Sequence, residues 1–199
     1  EVVSQLHREF IRAGTDIVQA FTYYGHREKL RLIGKEDLLE PLQKNALQIA
    51  KDARDEFKDL DLLVCGDVAN TNIYNPDDKK SHIECQKMYE EQVGWAKEAG
   101  VDFIVAETIN WTEEMKIALK AIKDAGMIAV TNFSIKKGDK TREGHTPGDA
   151  CKIMEDLGAD VVGLNCYRGP AMTMKLLPEI RKKVSCHVAA LPVPYRTTE

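Results

Sequence analysis

Val161-Val162-Gly163-Leu164-Asn165-Cys166-Tyr167-Arg168-Gly169-Pro170 reads as a short apolar strand that stops at a polar cluster holding a cysteine. An uninterrupted apolar run suits a strand covered on both faces, as in parallel sheets flanked by helices. In such folds the loop at the C-terminal end of the strand carries the chemistry. Cys166 alone proves little, since a lone cysteine in a core-like setting is more often a small hydrophobe than a ligand or nucleophile.

Outward from this stretch the same grammar recurs. Strands are predicted at residues 16–21, 62–65, 101–106, 127–131 and 187–191, with amphipathic helical patterns between them. The chain enters a helix at once, with Val2, Val3, Leu6, Phe10 and Ile11 at helical spacing. Tyr24 is followed by a charged loop. A long helix from about residue 36 is expected to bury Leu39, Leu42, Ala46, Ile49 or Ala50, Ala53 and Phe57, and Pro41 is tolerable near its first turn. Ser81 with Glu84 reads as a capping box, Thr112 as an N-cap, and Thr146-Pro147-Gly148-Asp149 as cap, N1 proline and N3 carboxylate.

Strict alternation of helix and strand means a parallel sheet with helical crossovers, either an open doubly wound sheet or a (β/α)8 barrel. No G-x-G-x-x-G and no Walker A sequence is present, which disfavours a nucleotide-binding open sheet. Every strand runs into a polar or aromatic cluster, as in a barrel, which uses all its strand ends. The expected fold is α/β, a (β/α)8 barrel represented by six of its eight strands. Residues 1–199 are read as one domain, truncated at both ends, because the chain opens inside a helix and stops just after a strand and its proline-rich loop.

The 199 residues are 43% hydrophobic and 30% charged, which fits a globular chain with a real core. A formal charge of −4 without a basic stripe argues against nucleic-acid binding, and no apolar run is long enough for a membrane helix. The five cysteines show no C-x-x-C spacing, which fits a reducing, cytoplasmic setting better than a disulfide framework.

The barrel reading collects Thr22, Tyr23, Tyr24, Gly66, Asp67, Glu107, Trp111, Asn132, Asn165, Cys166, Pro192 and Tyr195 on one rim. No lysine sits at a strand tip, against Schiff-base chemistry, and no histidine cluster suggests a histidine-ligated hydrolase. One thiol, one or two carboxylates and several aromatic rings remain. A rim thiolate can be a nucleophile or a soft-metal ligand, and aromatic faces can hold an onium cation. Glu107 directly follows an apolar strand and is costly to bury without a partner or ligand. The other four cysteines read as structural.

Several stretches together resemble the zinc-dependent, cobalamin-independent homocysteine S-methyltransferases, the betaine–homocysteine branch above all. They are residues 5–14 (QLHREFIRAG), 19–24 (QAFTYY), 101–107 (VDFIVAE), 163–166 (GLNC) and 191–195 (LPVPY), in the family's order across the chain. The resemblance implies a (β/α)8 barrel whose first strand precedes Glu1. It makes Cys166 the first of three zinc thiolates, with the other two in a Gly-Gly-Cys-Cys-Gly stretch on a last strand beyond Glu199. It implies that Glu107 holds the homocysteine amino group, that Tyr23 and Tyr24 flank the methyl donor, and that Asn165 supports the ligand beside it. The implied partners are homocysteine and a methyl-onium donor such as betaine, and self-association into a homo-oligomer is compatible with the branch. Thr108 stands where vertebrate betaine enzymes place a tyrosine, so a sulfonium donor such as S-methylmethionine is the alternative. A non-catalytic barrel relative acting through subunit association is the reading from another class.

Overall fold

Six strands lie side by side in chain order: β1 (Ile17–Gln19), β2 (Leu63–Ala69), β3 (Phe103–Ile109), β4 (Ile128–Phe133), β5 (Val161–Asn165) and β6 (His187–Leu191). All neighbouring pairs are parallel. The computed structural model describes residues 1–135 and 138–194. A parallel sheet whose spatial order never reverses is the barrel pattern; doubly wound sheets reverse at a switch point. The chain therefore builds six consecutive strands of an α/β barrel with their connecting helices, as its alternation predicted.

The connecting helices are α1 (Val2–Arg12), α2 (Arg27–Arg31), α3 (Leu39–Asp55), α4 (Lys79–Ala99), α5 (Thr112–Asp124), α6 (Pro147–Asp156) and α7 (Pro170–Lys183). Alternate strand residues, among them Val18, Val64, Ile104, Ala129, Val162 and Leu164, form the main core with Ala50, Val93, Leu119, Met154 and Ile180 of the helices. The opposite face carries a second cluster of Cys65, Phe103, Val105 and Val130. This two-residue alternation sends every second side chain toward the barrel interior. Helix α4 approaches β2 so closely that a Cβ on Gly66 would lie 2.9 Å from Ala96 Cβ.

The local details correct several expectations. Helix α4 is capped by Asp78, whose side chain accepts from Lys80 N, whereas Ser81 is buried and donates to the Asn75 and Asp78 carbonyls. Thr112 is the first residue of α5 rather than its cap. Glu143, from a distant loop, accepts from Thr112 N and Glu113 N there. The Thr146 cap on α6 is present as read. The charged stretch after Tyr24 contains the short helix α2, and Gln43 replaces Leu42 in the buried stripe of α3 because its amide donates to the Gly25 carbonyl. The apolar face of α1 is largely open, with Phe10 59% exposed. With Leu6, Ile17, Phe21, Leu63 and Phe103 it lines a concave cleft of about 820 Å³. Among the described residues no helix is long and apolar enough to cross a membrane.

Candidate active site at the strand ends

Strands β2 and β3 run further than the sequence pattern suggested. Gly66 thus lies inside β2 and faces helix α4 instead of the rim, and Asp67 and Glu107 are strand residues rather than loop residues. Glu107 points into the barrel interior and is 9% exposed. Its carboxylate accepts from Gln19 Nε2 at Oε1 and from Asn165 Nδ2 at Oε2, both at 2.8 Å. Both oxygens act as acceptors.

Asn165, at the end of β5, ties this acid to the thiol. Its Nδ2 also lies 2.7 Å from Thr108 Oγ1 and 3.3 Å from Cys166 Sγ, and its Oδ1 accepts from Thr108 N at 2.9 Å. Thr108 Oγ1 in turn points its hydroxyl at Cys166 Sγ, 3.9 Å away. Cys166 is exposed, whereas Cys65, Cys85 and Cys151 are buried and Cys186 is half-buried; none is in a disulfide. The Cys166 backbone is fixed by its N–H, which donates to Leu191 O on β6.

Tyr23 and Tyr24 form a tilted pair with ring centroids 4.3 Å apart. Their turn is built rather than loose. Thr22 Oγ1 donates to the Asp67 carbonyl, His26 caps α2 through Nδ1, and a Cβ on Gly25 would meet Leu42 and the Thr22 carbonyl at 2.9 Å. Tyr24 Oη bonds Asn70 Oδ1 at 3.1 Å, and Lys29 Nζ stands 4.4 Å over the Tyr24 ring. Burial raises the Tyr23 hydroxyl above the usual phenol range, with Thr108 opposing and Tyr24 reinforcing. Trp111 packs at a tilt against Tyr74, with Arg142 over its ring, beside a polar pocket of about 380 Å³ that also reaches Tyr24 and Thr108.

Backbone strain concentrates on this rim. Tyr24, Thr108, Cys166 and Tyr167 all have φ between 56° and 60°, in the left-handed region that non-glycine residues rarely enter. At Thr108 the strain coincides with a register shift between β3 and β4. Such conformations cost on the order of 1–3 kcal/mol each and persist where surrounding structure enforces them, often at functional sites.

The structure thus brings together Glu107, Asn165, Cys166 and the Tyr23–Tyr24 pair, and adds Gln19 and Thr108 to them. Gln19 was not singled out in the sequence. Its signal was available, because it is the last residue of β1 and shares the inward-facing parity of Ile17. Asn132 lies on the inner face beside Gly163, whose Cβ would come within 2.9 Å of Asn132 Oδ1 and 2.0 Å of the Ala189 carbonyl. Tyr195 lies outside the described residues. Among these residues no group of three or more His, Cys, Asp or Glu side chains is placed to hold a metal. Cys166 by itself suits one thiolate position: it is exposed, and two donors are aimed at its sulfur.

Comparison with known proteins places the chain. Betaine–homocysteine S-methyltransferase 1 of Xenopus tropicalis is 33% identical over 209 aligned residues, covering 100% of this chain and 50% of the frog protein. The Sus scrofa protein of the same name is 32% identical, covering 100% of this chain and 73% of that sequence. The chain spans about half the length of the frog relative. Among solved structures, the metallated form of the homocysteine methyltransferase MmuM from Escherichia coli superposes with a TM-score of 0.82 at 18% identity. That match covers 95% of this chain and 70% of MmuM, and it agrees with the barrel architecture. The family description "Homocysteine S-methyltransferase" matches residues 1–197, nearly the whole chain. The chain belongs to the homocysteine S-methyltransferase family.

Proposed function

We propose that residues 1–199 form a single homocysteine-binding barrel domain that carries most of the site of a betaine–homocysteine S-methyltransferase. The observation that carries this reading is the Asn165 amide, which links an acid suited to an ammonium group with an exposed thiol suited to a metal. In this reading Glu107 holds the homocysteine amino group, and Gln19 and Asn165 fix its two oxygens. Asn165 and Thr108 orient the Cys166 sulfur. Cys166 is one of three thiolates of a zinc site, and the other two belong to sequence outside residues 1–199.

Zinc, when bound, supplies the Lewis acidity that keeps the homocysteine sulfur a thiolate near neutral pH. Tyr23 and Tyr24 present aromatic faces to the trimethylammonium group and exclude water from it. The homocysteine sulfur forms the new S–CH3 bond as the C–N bond of betaine breaks. The electron pair stays on nitrogen, giving methionine and dimethylglycine. The unpaired state of all five cysteines fits a reducing cytoplasmic setting.

A sulfonium donor is the second reading. Thr108 favours it, because its small side chain faces the thiol where vertebrate betaine enzymes carry a third ring. Methyl-labelled betaine and S-methylmethionine, offered separately with homocysteine to the full-length protein, decide the matter. Label in methionine from betaine supports the first reading. Label from S-methylmethionine alone moves the donor to the second, and label from neither sinks both.

A further inference from the structure

Next to Glu107 lies a second carboxyl that methyl transfer as described does not use. Asp67 sits on the inner face of β2 and is 3% exposed. Its polar neighbours are Gln19 on β1 and Glu107 on β3, and in the ionised form neither of its oxygens has a donor to accept from. Cys65, on the same face of β2, lies nearby and is itself held as a thiol by burial. Both ends of the Asn132 amide, 1% exposed on β4, are likewise unpaired among the described residues. Buried polar groups are nearly always paired, so polar side chains on either side of Glu107 that lack such pairing point to a polar ligand.

Charge identifies that ligand. No cation among the described residues contributes to the surroundings of Asp67. Two ionised carboxylates side by side in a buried wall are costly, and burial with the charge of Glu107 pushes the Asp67 carboxyl well above the usual aspartate range. A single proton shared between the two carboxyls relieves that repulsion and leaves one net negative charge. An ammonium group entering beside Glu107 reverses the balance, because an opposite charge within a few ångströms favours ionisation of a carboxyl. Two carboxylates plus one ammonium again carry one net negative charge. The exchange of a proton for an ammonium leaves the buried charge unchanged.

We propose that Asp67 is the second acid of an ammonium site, holding a proton while the site is empty and yielding it to solvent when the amino group of an α-amino acid binds. The proposal rests on the reading of Glu107 as the amine-binding acid. It makes Asp67 and Glu107 together the determinant that selects an amino acid over its des-amino counterpart.

The test is calorimetric titration of the full-length protein with L-methionine, which carries the ammonium group but no thiol proton. Buffers of different ionisation enthalpy give the proton count. Release of up to one proton per methionine is expected. Affinity should rise by up to tenfold per pH unit between the pH at which Asp67 ionises in the filled site and that in the empty site. Asp67→Asn should still bind, with no proton release and a flat profile over that window. 4-Methylthiobutyrate, lacking the amino group, should release none. No release from the wild type, or undiminished release from Asp67→Asn, overturns the proposal. Glu107→Gln is read separately: unchanged methionine affinity in that variant overturns the assignment of Glu107 itself, and the proposal with it.

Discussion

The Asn165 side-chain nitrogen donates to Glu107 Oε2 at 2.8 Å while standing 3.3 Å from Cys166 Sγ. One amide at the end of β5 therefore sets the position of an acid on β3 relative to the exposed thiol that follows it in the chain. Removing it leaves a buried carboxylate oxygen and the Thr108 N–H without this partner. Asn165→Ala is expected to destabilise the full-length protein by roughly 1–3 kcal/mol, read from urea denaturation. Combined with Glu107→Gln it should cost less than the sum of the single variants, because both act on one network.

Gly163 sits where β5, β4 and β6 meet, and a methyl group there would be 2.0 Å from the Ala189 carbonyl oxygen. That oxygen is backbone and cannot turn aside. Gly163→Ala should therefore push β6 away from β5 and cost on the order of 1–3 kcal/mol or more in denaturation midpoint measurements. A neutral outcome would mean that β6 is held less closely than described.

Most of the fold was legible because its signals are local. Alternating apolar runs and the Thr146-Pro147 start of α6 each depend on a few adjacent residues. The misread features depend on distance in the chain. Glu143 caps α5 from a separate loop, Gln43 is buried because Gly25 offers a carbonyl, and the extra length of β2 and β3 comes from pairing with each other. At the site, Cys166 and Glu107 stood out as polar residues abutting apolar strands. The parts played by Gln19 and Thr108 emerge only when β1, β3 and β5 are side by side.

His26 gives the account a pH dependence. Burial, helped by Lys29, lowers its imidazole to about 4, so the folded protein keeps it neutral. An unfolded histidine takes up a proton near pH 6.5. The stabilisation is therefore complete above about pH 6.5 and is lost progressively as pH falls toward 4, by up to about 3 kcal/mol. The difference in urea midpoint between wild type and His26→Asn should shrink or reverse over that window. A constant difference would show that His26 does not contribute the acid sensitivity.

If the tyrosine pair holds the methyl donor, its loss should affect the donor and spare the acceptor. Replacing Tyr23 with Leu is expected to weaken betaine binding by about 0.5–2 kcal/mol while homocysteine affinity changes little. Titration of each substrate against the full-length variant separates the two effects. Equal loss for both substrates would place Tyr23 in general packing.

The most direct measurement is the zinc content of the purified full-length protein beside that of its Cys166→Ala variant, with circular dichroism to show that both are folded. Zinc is expected in the wild type and should be lost from the folded variant. Equal zinc in both proteins, or none in an active wild type, would contradict the assignment of Cys166 as a zinc ligand.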